Sequence, residues 1–553
     1  MTSPSSSLPW QPRKISRPAA AGLFFSLLVI AASWSGCRSL EAANDQAPPD
    51  LLKALQQFSG VLSQVESSYV TEVDSTELVE SAVRGMLRTL DPHSTFFAAS
   101  DYSQLQEEQE GQYFGLGILI RPAAPGSGRV VVVEPPSPGT PAYKVGLQPG
   151  DVIFRVDGEP IDEWVYPDEV IPRIKGPKGT RVKISVQRPG EALPIELEVE
   201  RDAIPIYTIK HVFHLKPRVG YIRIERFGST TGRELGSALE ELGERDLEGL
   251  VLDLRNNPGG SLAEAIAVSD RFLKRDQVIV KTRDRNGETQ SYRAPEGRQH
   301  LYPMVVLING YSASGSEIVA GALQDHDRAL LVGATTFGKA LVQTVFPLPG
   351  ERGLALTTGS YHTPSGRLIQ KPYQPGFYDY LYSSRSAAPA LDQAFLTDSG
   401  RPVYGGGGIR PDTQEEIHSY TPLAAGVNRK NLFYKFAGML IHGEVEGEGR
   451  FHRPLERLRE LSALELDRLK AEIAVSEEGE TLGRFQQFLV REGLEFSDQD
   501  FDESRRQLAN RLQQEIFLVL FGETEGVKVQ LRVDNQVQKA LELLPQARAL
   551  IER

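Results

Sequence analysis

Between Ile204 and about Asp412 the chain repeats one pattern, a short apolar run followed by a stretch with helical spacing. Val219-Gly220-Tyr221-Ile222-Arg223-Ile224 and Gly249-Leu250-Val251-Leu252-Asp253-Leu254 are two such runs, and the spacing predicts helices over 232–245 and 261–274. Strands alternating with helices build an α/β core. The flanks of this region read differently. Residues 51–110 read as helical, because Leu51, Leu55, Phe58, Leu62 and Val65 recur at four- and three-residue steps on one stripe. Residues 413–553 lose the strand pattern and become charged and helical, as in Arg453-Pro454-Leu455-Glu456-Arg457-Leu458-Arg459-Glu460-Leu461. A chain of 553 residues that is 40% hydrophobic supports several folded domains.

Residues 111–203 carry a separate logic. Phe114-Gly115-Leu116-Gly117-Ile118 precedes an apolar strand, and Gly128-Arg129-Val130-Val131-Val132-Val133-Glu134 returns as a second. Further on, Ala142-Tyr143-Lys144-Val145-Gly146-Leu147-Gln148-Pro149-Gly150-Asp151-Val152-Ile153 and the following Phe154 to Gly158 resemble the signature of PDZ domains. That resemblance implies a module that adds a peptide as an extra strand and holds its terminal carboxylate on backbone amides. Leu116, Gly117 and Ile118 would be the donors, with Leu116, Ile118 and Ile120 walling the side-chain pocket. Pro172 falls where the groove's helix is expected and should kink or shorten it. The structural alternative is a glycine-punctuated hairpin that packs on the core.

Chemistry concentrates at Ser314 and Lys339. The small-residue loop Ser312-Ala313-Ser314-Gly315-Ser316-Glu317 can expose a hydroxyl, and the glycine-flanked Lys339 can be set beside it as a base. A purely structural reading competes: Ser314 and Glu317 fit a capping box before Ile318-Val319-Ala320, and Lys339 alone fits a solvated loop charge. The two readings are compatible, since a helix N-terminus also favours developing negative charge. An ordinary lysine, with a pKa of about 10.4, is protonated at neutral pH and cannot accept a proton. Burial away from carboxylates lowers it, and residues 332–343 contain no Asp or Glu. His326, between Asp325 and Asp327, reads as a helix end in a solvated turn. The sequence has no His-Glu-x-x-His among its 9 histidines, no Gly-x-Ser-x-Gly elbow and a single cysteine, Cys37, so neither a metal site nor a cofactor is expected.

Val306-Leu307-Ile308-Asn309, the Ser-Ala-Ser-Gly-Ser-Glu-Ile loop, Ala322-Leu323-Gln324-Asp325 and Phe337-Gly338-Lys339 run as in the carboxyl-terminal processing peptidases, the tail-specific serine proteases. Leu252-Asp253-Leu254-Arg255-Asn256-Asn257-Pro258-Gly259-Gly260 upstream, with Tyr361-His362-Thr363-Pro364 and Gly407-Gly408-Ile409-Arg410-Pro411-Asp412 downstream, is similar to the same family. The likeness spans roughly residues 50–412, and Leu90-Asp91-Pro92-His93-Ser94 resembles the family's turn before the PDZ domain. It implies Ser314 as nucleophile, Lys339 as general base and Gln343, one helical turn further, as the residue that orients the lysine. It also points to an oxyanion hole made by the amide of Gly315 with one from Gly259 or Gly260. Ala334 stands where the family is usually acidic, and Ala340-Leu341 where it more often shows Gly-Ser. The family further implies gating by movement of the PDZ domain.

The expected organisation is a signal or lipoprotein signal over 1–37, N-terminal helices over 51–110, a PDZ domain over 111–203, a serine-peptidase core over 204–412 and a helical extension over 413–553. That extension is expected to serve interaction or oligomerisation, with a solvated appendage as the alternative. A net charge of −12 argues against nucleic acid as a partner. Arg13, Lys14 and Arg17 precede an uncharged stretch from Ala19 to Cys37, a secretory pattern with an apolar core short for a membrane span. Cys37 follows Ser35-Gly36, where a bacterial lipoprotein signal places its lipidated cysteine; an uncleaved anchor or cleavage near Ala42-Ala43 are the alternatives. Each route places the enzyme in the cell envelope, outside the cytoplasmic membrane. Its expected partners are proteins or peptides with free C-termini, with membrane anchoring, a homo-oligomer or an envelope adaptor left open. A catalytically silent PDZ scaffold is the competing function, and retention of Ser314, Lys339 and Gln343 together argues against it.

Overall fold

The computed structural model describes residues 49–123, 129–161, 167–297, 302–372, 393–452, 458 and 461–552. The secretory stretch with Cys37, and most of the charged run from Arg453 to Glu460, lie outside the described residues. The chain divides into two compact units between Thr89 and Leu90. In the first, helix α1 (Pro49–Ser68) precedes α2 (Ser75–Arg88), whose N-cap Asp74 accepts the amides of Thr76 and Glu77. The apolar stripe forms on α1, and Leu51, Leu55 and Phe58 remain exposed on it.

The second unit opens with strand β1 (Thr95–Phe97), helix α3 (Ala99–Glu110) and strand β2 (Gln112–Gly115). Gly111 ends α3 in the left-handed region (φ 72), a C-cap that side chains disfavour. A β-rich module follows: β3 (Ile120–Pro122), β4 (Val130–Val132), α4 (Pro141–Lys144), β5 (Val152–Val156), β6 (Glu159–Pro160), α5 (Pro167–Ile174), β7 (Arg181–Gln187) and β8 (Ile195–Glu200). Its antiparallel sheet runs β3-β4-β5-β7-β8, with β6 on β5, around a core that includes Val132, Leu147, Ile153, Val182 and Ile184. β9 (Asp202–Pro205) returns beside β2, so the module's entry and exit strands form one antiparallel stem. Pro172 sits inside α5, and the helix runs past it to Ile174 with eight residues in all; it is short and not broken.

The larger body comprises β10 (Ile209–Lys216), β11 (Val219–Ile224), α6 (Thr231–Glu241), β12 (Gly249–Asp253), α7 (Leu262–Asp270), β13 (Val278–Asp284), β14 (Thr289–Arg293), β15 (Met304–Ile308), α8 (Gly315–Asp325), β16 (Leu330–Gly333), β17 (Leu341–Leu348), β18 (Arg352–His362), the hairpin β19 (Ala394–Leu396) and β20 (Pro402–Tyr404), and β21 (Thr413–Gln414). The main sheet runs β10-β11-β12-β15-β16-β21, parallel from β11 onward with β10 as an antiparallel edge. Every residue of β12, β15 and β16 is buried, as continuous apolar runs between covering layers require. Both expected helices form, each several residues shorter at its C-terminal end than the spacing predicts. A second, antiparallel sheet, β1-β18-β13-β14 with β17 on β18, was not apparent from the alternation.

The C-terminal extension folds as α9 (Pro422–Arg429), α10 (Leu432–Ile441), α11 (Ala463–Glu472), α12 (Glu480–Arg491), α13 (Asp498–Phe521), α14 (Glu523–Leu531) and α15 (Asn535–Ile551). Phe433, Phe436, Phe485, Leu512 and Ile516 belong to its own core. It is no solvated appendage. Val537, Ala540, Leu543 and Leu544 of α15 pack with Tyr221, Val251, Val305 and Leu307 of the main sheet, where each buried large aliphatic side chain contributes roughly 1.5–3 kcal/mol. Toward the β-rich module, the Arg121 guanidinium lies 3.5 Å over the Tyr434 ring and pairs with Glu515, while the Tyr434 hydroxyl donates to the Val132 carbonyl.

Candidate active site

Strand β15 ends at Ile308 and a tight turn carries the chain into α8. The Ser312 amide closes the turn on the Asn309 carbonyl, and the Ser312 hydroxyl donates to the Leu254 carbonyl. Ser314 is the N-cap of α8 at φ 51, ψ −111, a backbone region that costs a residue with a Cβ of order 1–3 kcal/mol. The expected capping box forms. The Glu317 carboxylate accepts the Ser314 amide at 2.9 Å, and the Glu317 amide bonds the Ser314 carbonyl.

Glu317 joins two loops. Its Oε2 accepts the backbone amides of both Ser314 and Lys339 at 2.9 Å, and its Oε1 accepts the Thr336 hydroxyl at 2.5 Å and the Gly338 amide at 2.7 Å. Tyr361 ties the same residues from their carbonyls, its hydroxyl lying 2.6 Å from Lys339 O and 3.1 Å from Ser314 O. The two backbones are thereby fixed beside one another. The sequence showed Glu317 as a capping residue, and nothing in residues 332–343 announces a carboxylate at the lysine loop; it arrives from the helix that Ser314 caps.

The Lys339 amine donates to Gln343 Oε1 at 2.7 Å, and Gln343 Nε2 donates to the His93 carbonyl at 2.5 Å. Gln343 lies on strand β17, not one turn along a helix; a register shift between Val342 and Gln343 re-aims its side chain toward Lys339. The Asp91 carboxylate accepts the amides of His93 and Ser94 and the Ser94 hydroxyl, fixing the turn that presents the His93 carbonyl. Burial pushes the Lys339 amine below its ordinary value, against the opposing pull of Glu317 and Asp91. Burial pushes the Glu317 carboxyl up to about 7 despite its hydrogen bonds. Burial, with Lys339 nearby, holds His93 down to about 4, so the imidazole is neutral at physiological pH. Among the described residues no hydrogen bond joins the Ser314 hydroxyl to the Lys339 amine.

The three glycines expected at an oxyanion hole divide. The Gly259 amide donates to Asn257 Oδ1 at 2.9 Å and is occupied, which corrects its place as a donor. Among the described residues no acceptor takes the amides of Gly260 or Gly315. Gly259 serves by close approach instead, since a Cβ on it would lie 2.7 Å from the Ser314 Cβ. Ser314, Lys339, Gln343, Gly259 and Gly260 line one cavity of about 580 Å³. Leu105, Glu108 and Gln109 of α3 line it as well.

A second cavity, about 760 Å³, lies between Leu116–Ile120 and residues Ile171, Pro172 and Ile174 of α5. β3 is an edge strand of its sheet, and among the described residues no acceptor takes the amides of Leu116, Gly117 or Ile118. Ser100, Asp101, Gln104 and Glu107 of α3 line this cavity, with Glu107 paired to Lys175 at 2.7 Å. Helix α3 therefore shows one face to the groove and another to the cavity of Ser314. His326 is no solvated turn residue: it ends α8 with Nδ1 2.7 Å from Asp398 Oδ2 and Nε2 2.8 Å from the Val278 carbonyl. Among the described residues no group of three or more His, Cys, Asp or Glu side chains could hold a metal ion.

The family model for peptidase family S41 matches residues 218–377, a PDZ-domain model matches 132–188, and the model of the activating protease CtpB N-terminal domain matches 19–100. The carboxy-terminal-processing protease of Bartonella bacilliformis is 36% identical over 355 residues, covering 63% of this chain and 79% of that protein. The carboxy-terminal processing protease CtpB of Bacillus subtilis is 33% identical over 335 residues, covering 60% of this chain and 68% of its own. A solved photosystem II D1 C-terminal processing protease matches at 27% identity over 65% of this chain and 92% of that one, with a TM-score of 0.34. The chain belongs to peptidase family S41 and is a serine peptidase of the carboxy-terminal processing group, with a PDZ domain in the same polypeptide.

Proposed function

We propose that this peptidase selects proteins by their free C-terminus in the PDZ groove and cuts them with a Ser314–Lys339 dyad. The neutral Lys339 amine takes the Ser314 proton as Oγ attacks the scissile carbonyl, and the amides of Gly260 and Gly315 hold the resulting oxyanion. Lys339 then returns the proton to the leaving amine. Water, deprotonated by the same amine, hydrolyses the acyl-enzyme. Gln343 aims the lysine without supplying charge that would keep it protonated. The open hydrogen bond between serine and lysine is compatible with this role, because catalytic contacts often tighten only with substrate bound. The observation that carries the reading is the double tether of Ser314 and Lys339 by Glu317 and Tyr361 inside one cavity.

Tail recognition is supported by the unused amides of Leu116, Gly117 and Ile118 at an edge strand, the arrangement that β-augmentation requires. Tethering the tail raises the local concentration of the remaining chain at Ser314, so weak subsite contacts suffice. The basic and apolar N-terminal sequence with Cys37 supports export to the cell envelope with a lipid anchor. Incorporation of labelled fatty acid that disappears in Cys37→Ala would support the anchor; equal labelling would remove it. The tail reading is tested by turnover of one unfolded protein bearing a free apolar C-terminus against its C-terminal amide. The free form should be cut faster through a lower KM, and equal rates would discard tail reading.

A further inference from the structure

Arg255 stands two residues past the end of β12 and two before Asn257, and its guanidinium is buried. Nε and Nη2 donate to Asp253, whose carboxylate also accepts the Tyr221 hydroxyl. Nη1 reaches elsewhere: it donates to Asp534 Oδ2 at 2.7 Å and Gln536 Oε1 at 2.9 Å, at the N-terminus of α15. These partners lie beyond residue 377, where the S41 family match ends. Each is held in turn. Asp534 Oδ1 caps α15 by accepting the amides of Gln536 and Val537, and Gln536 Nε2 donates to the Glu415 carbonyl.

The loop that follows Arg255 leads to the oxyanion glycines. Asn256, at φ 60, exchanges hydrogen bonds with the Asn309 side chain. The Asn257 carbonyl accepts the Ser316 hydroxyl and the Ala313 amide from the nucleophile's turn. The loop is thus fastened to the nucleophile on one side and, through Arg255, to the C-terminal extension on the other.

We infer that Asp534 and Gln536 are positioning residues for peptide-bond hydrolysis: through Arg255 they hold the back of the loop that presents the Gly260 amide. The inference rests on the reading that Gly260 and Gly315 bind the oxyanion. An oxyanion donor stabilises the transition state only while it stays aimed at one point. A buried guanidinium that loses its acceptors must find others, and its backbone moves with it.

The test uses the full chain, an unfolded protein substrate with a free apolar C-terminus and a peptide boronate. The boron forms a tetrahedral bond to Ser314 Oγ as the hydroxyl proton passes to Lys339, so its affinity reports the oxyanion site. Asp534→Asn keeps a helix cap but turns a donor toward Arg255. It should lower kcat about tenfold with KM unchanged, and weaken the boronate by the same factor; losing a donor outright costs roughly 10²–10³ in kcat. Asn535→Ala cuts the neighbouring anchors to Glu415 and Glu416 without touching Arg255, and should stay within about twofold of wild type in kcat. Should Asp534→Asn fail to fold, Arg255→Lys, which cannot span from Asp253 to Asp534, carries the same expectation. Wild-type kcat and boronate affinity in Asp534→Asn, or equal losses in Asn535→Ala, would overturn the positioning role. A wild-type enzyme that binds the boronate no better than the parent peptide amide would instead bring down the oxyanion reading beneath it.

Discussion

The cavity at Ser314 and the groove at Leu116–Ile120 solve different problems with different atoms. The first is built from side chains drawn from distant parts of the chain, with Glu317, Tyr361 and Gln343 fixing two backbones and one amine. The second offers backbone amides just ahead of an edge strand and takes its shape from apolar side chains. Catalysis here depends on which side chain stands at each place. The proposed recognition depends on the path of the backbone. The contrast predicts large effects from conservative side-chain changes at the first site, and small ones at the second unless the backbone itself is forced to move.

The largest effect is expected at the dyad. Ser314→Ala and Lys339→Met should each lower kcat by 10⁴-fold or more, to about the level left by binding alone, with peptide affinity at the groove unchanged by calorimetry. Persistent turnover in either variant would break the comparison at its first term. Glu317→Gln follows. A carboxylate accepts all four donors and an amide oxygen cannot, so kcat should fall about 10²- to 10³-fold although the side chain is nearly isosteric. Gln343→Ala leaves Lys339 unaimed and should cost about 10- to 100-fold in kcat at constant KM. Gly117→Val tests the other region. A Cβ there would lie 2.9 Å from the Thr140 side chain at φ 76, so the loop of Leu116–Ile118 must shift. KM for a free tail should rise about tenfold with kcat retained, and amidated substrate should be cut as before.

The smallest effect is on stability. Burial raises the Glu317 carboxyl from an ordinary 4.5 to about 7, so the folded state binds this proton more tightly than the unfolded chain. Its contribution is full below the ordinary value and is lost as pH rises through about 7. The slope cannot exceed about 1.4 kcal/mol per pH unit in that window. Denaturant titrations of wild type and Glu317→Gln across the window should differ by this slope, which the variant lacks.

Ser314 and Lys339 stood out because the serine sits in a run of small residues before a helix and the lysine follows a glycine, while Gln343 came from the family resemblance alone; the three line one cavity. Their supports were less legible. Glu317 wrote itself as a helix cap, and only folding reveals that the same carboxylate reaches Gly338 and Lys339. The acceptor for Gln343 is a backbone carbonyl 250 residues away, at His93, and a carbonyl has no signature in sequence. A side chain also claimed Gly259: Asn257 takes its amide, leaving Gly260. The helical spacing of 413–553 was readable, but not that α15 would cover the main sheet or that α10 and α13 would meet the PDZ domain at Arg121. Periodicity identifies an apolar face and says nothing of what lies against it. The α/β core was apparent from its short apolar runs, whereas β17 and β18, half buried and polar in places, carry no such mark.

The most direct measurement is the titration of Lys339 itself, by NMR of the chain with isotope-labelled lysine side chains, assigned through Lys339→Met. The account predicts that the Lys339 amine loses its proton below the ordinary lysine value and that kcat/KM rises with pH over the same step. An amine that stays protonated throughout the range in which the enzyme cuts would contradict it.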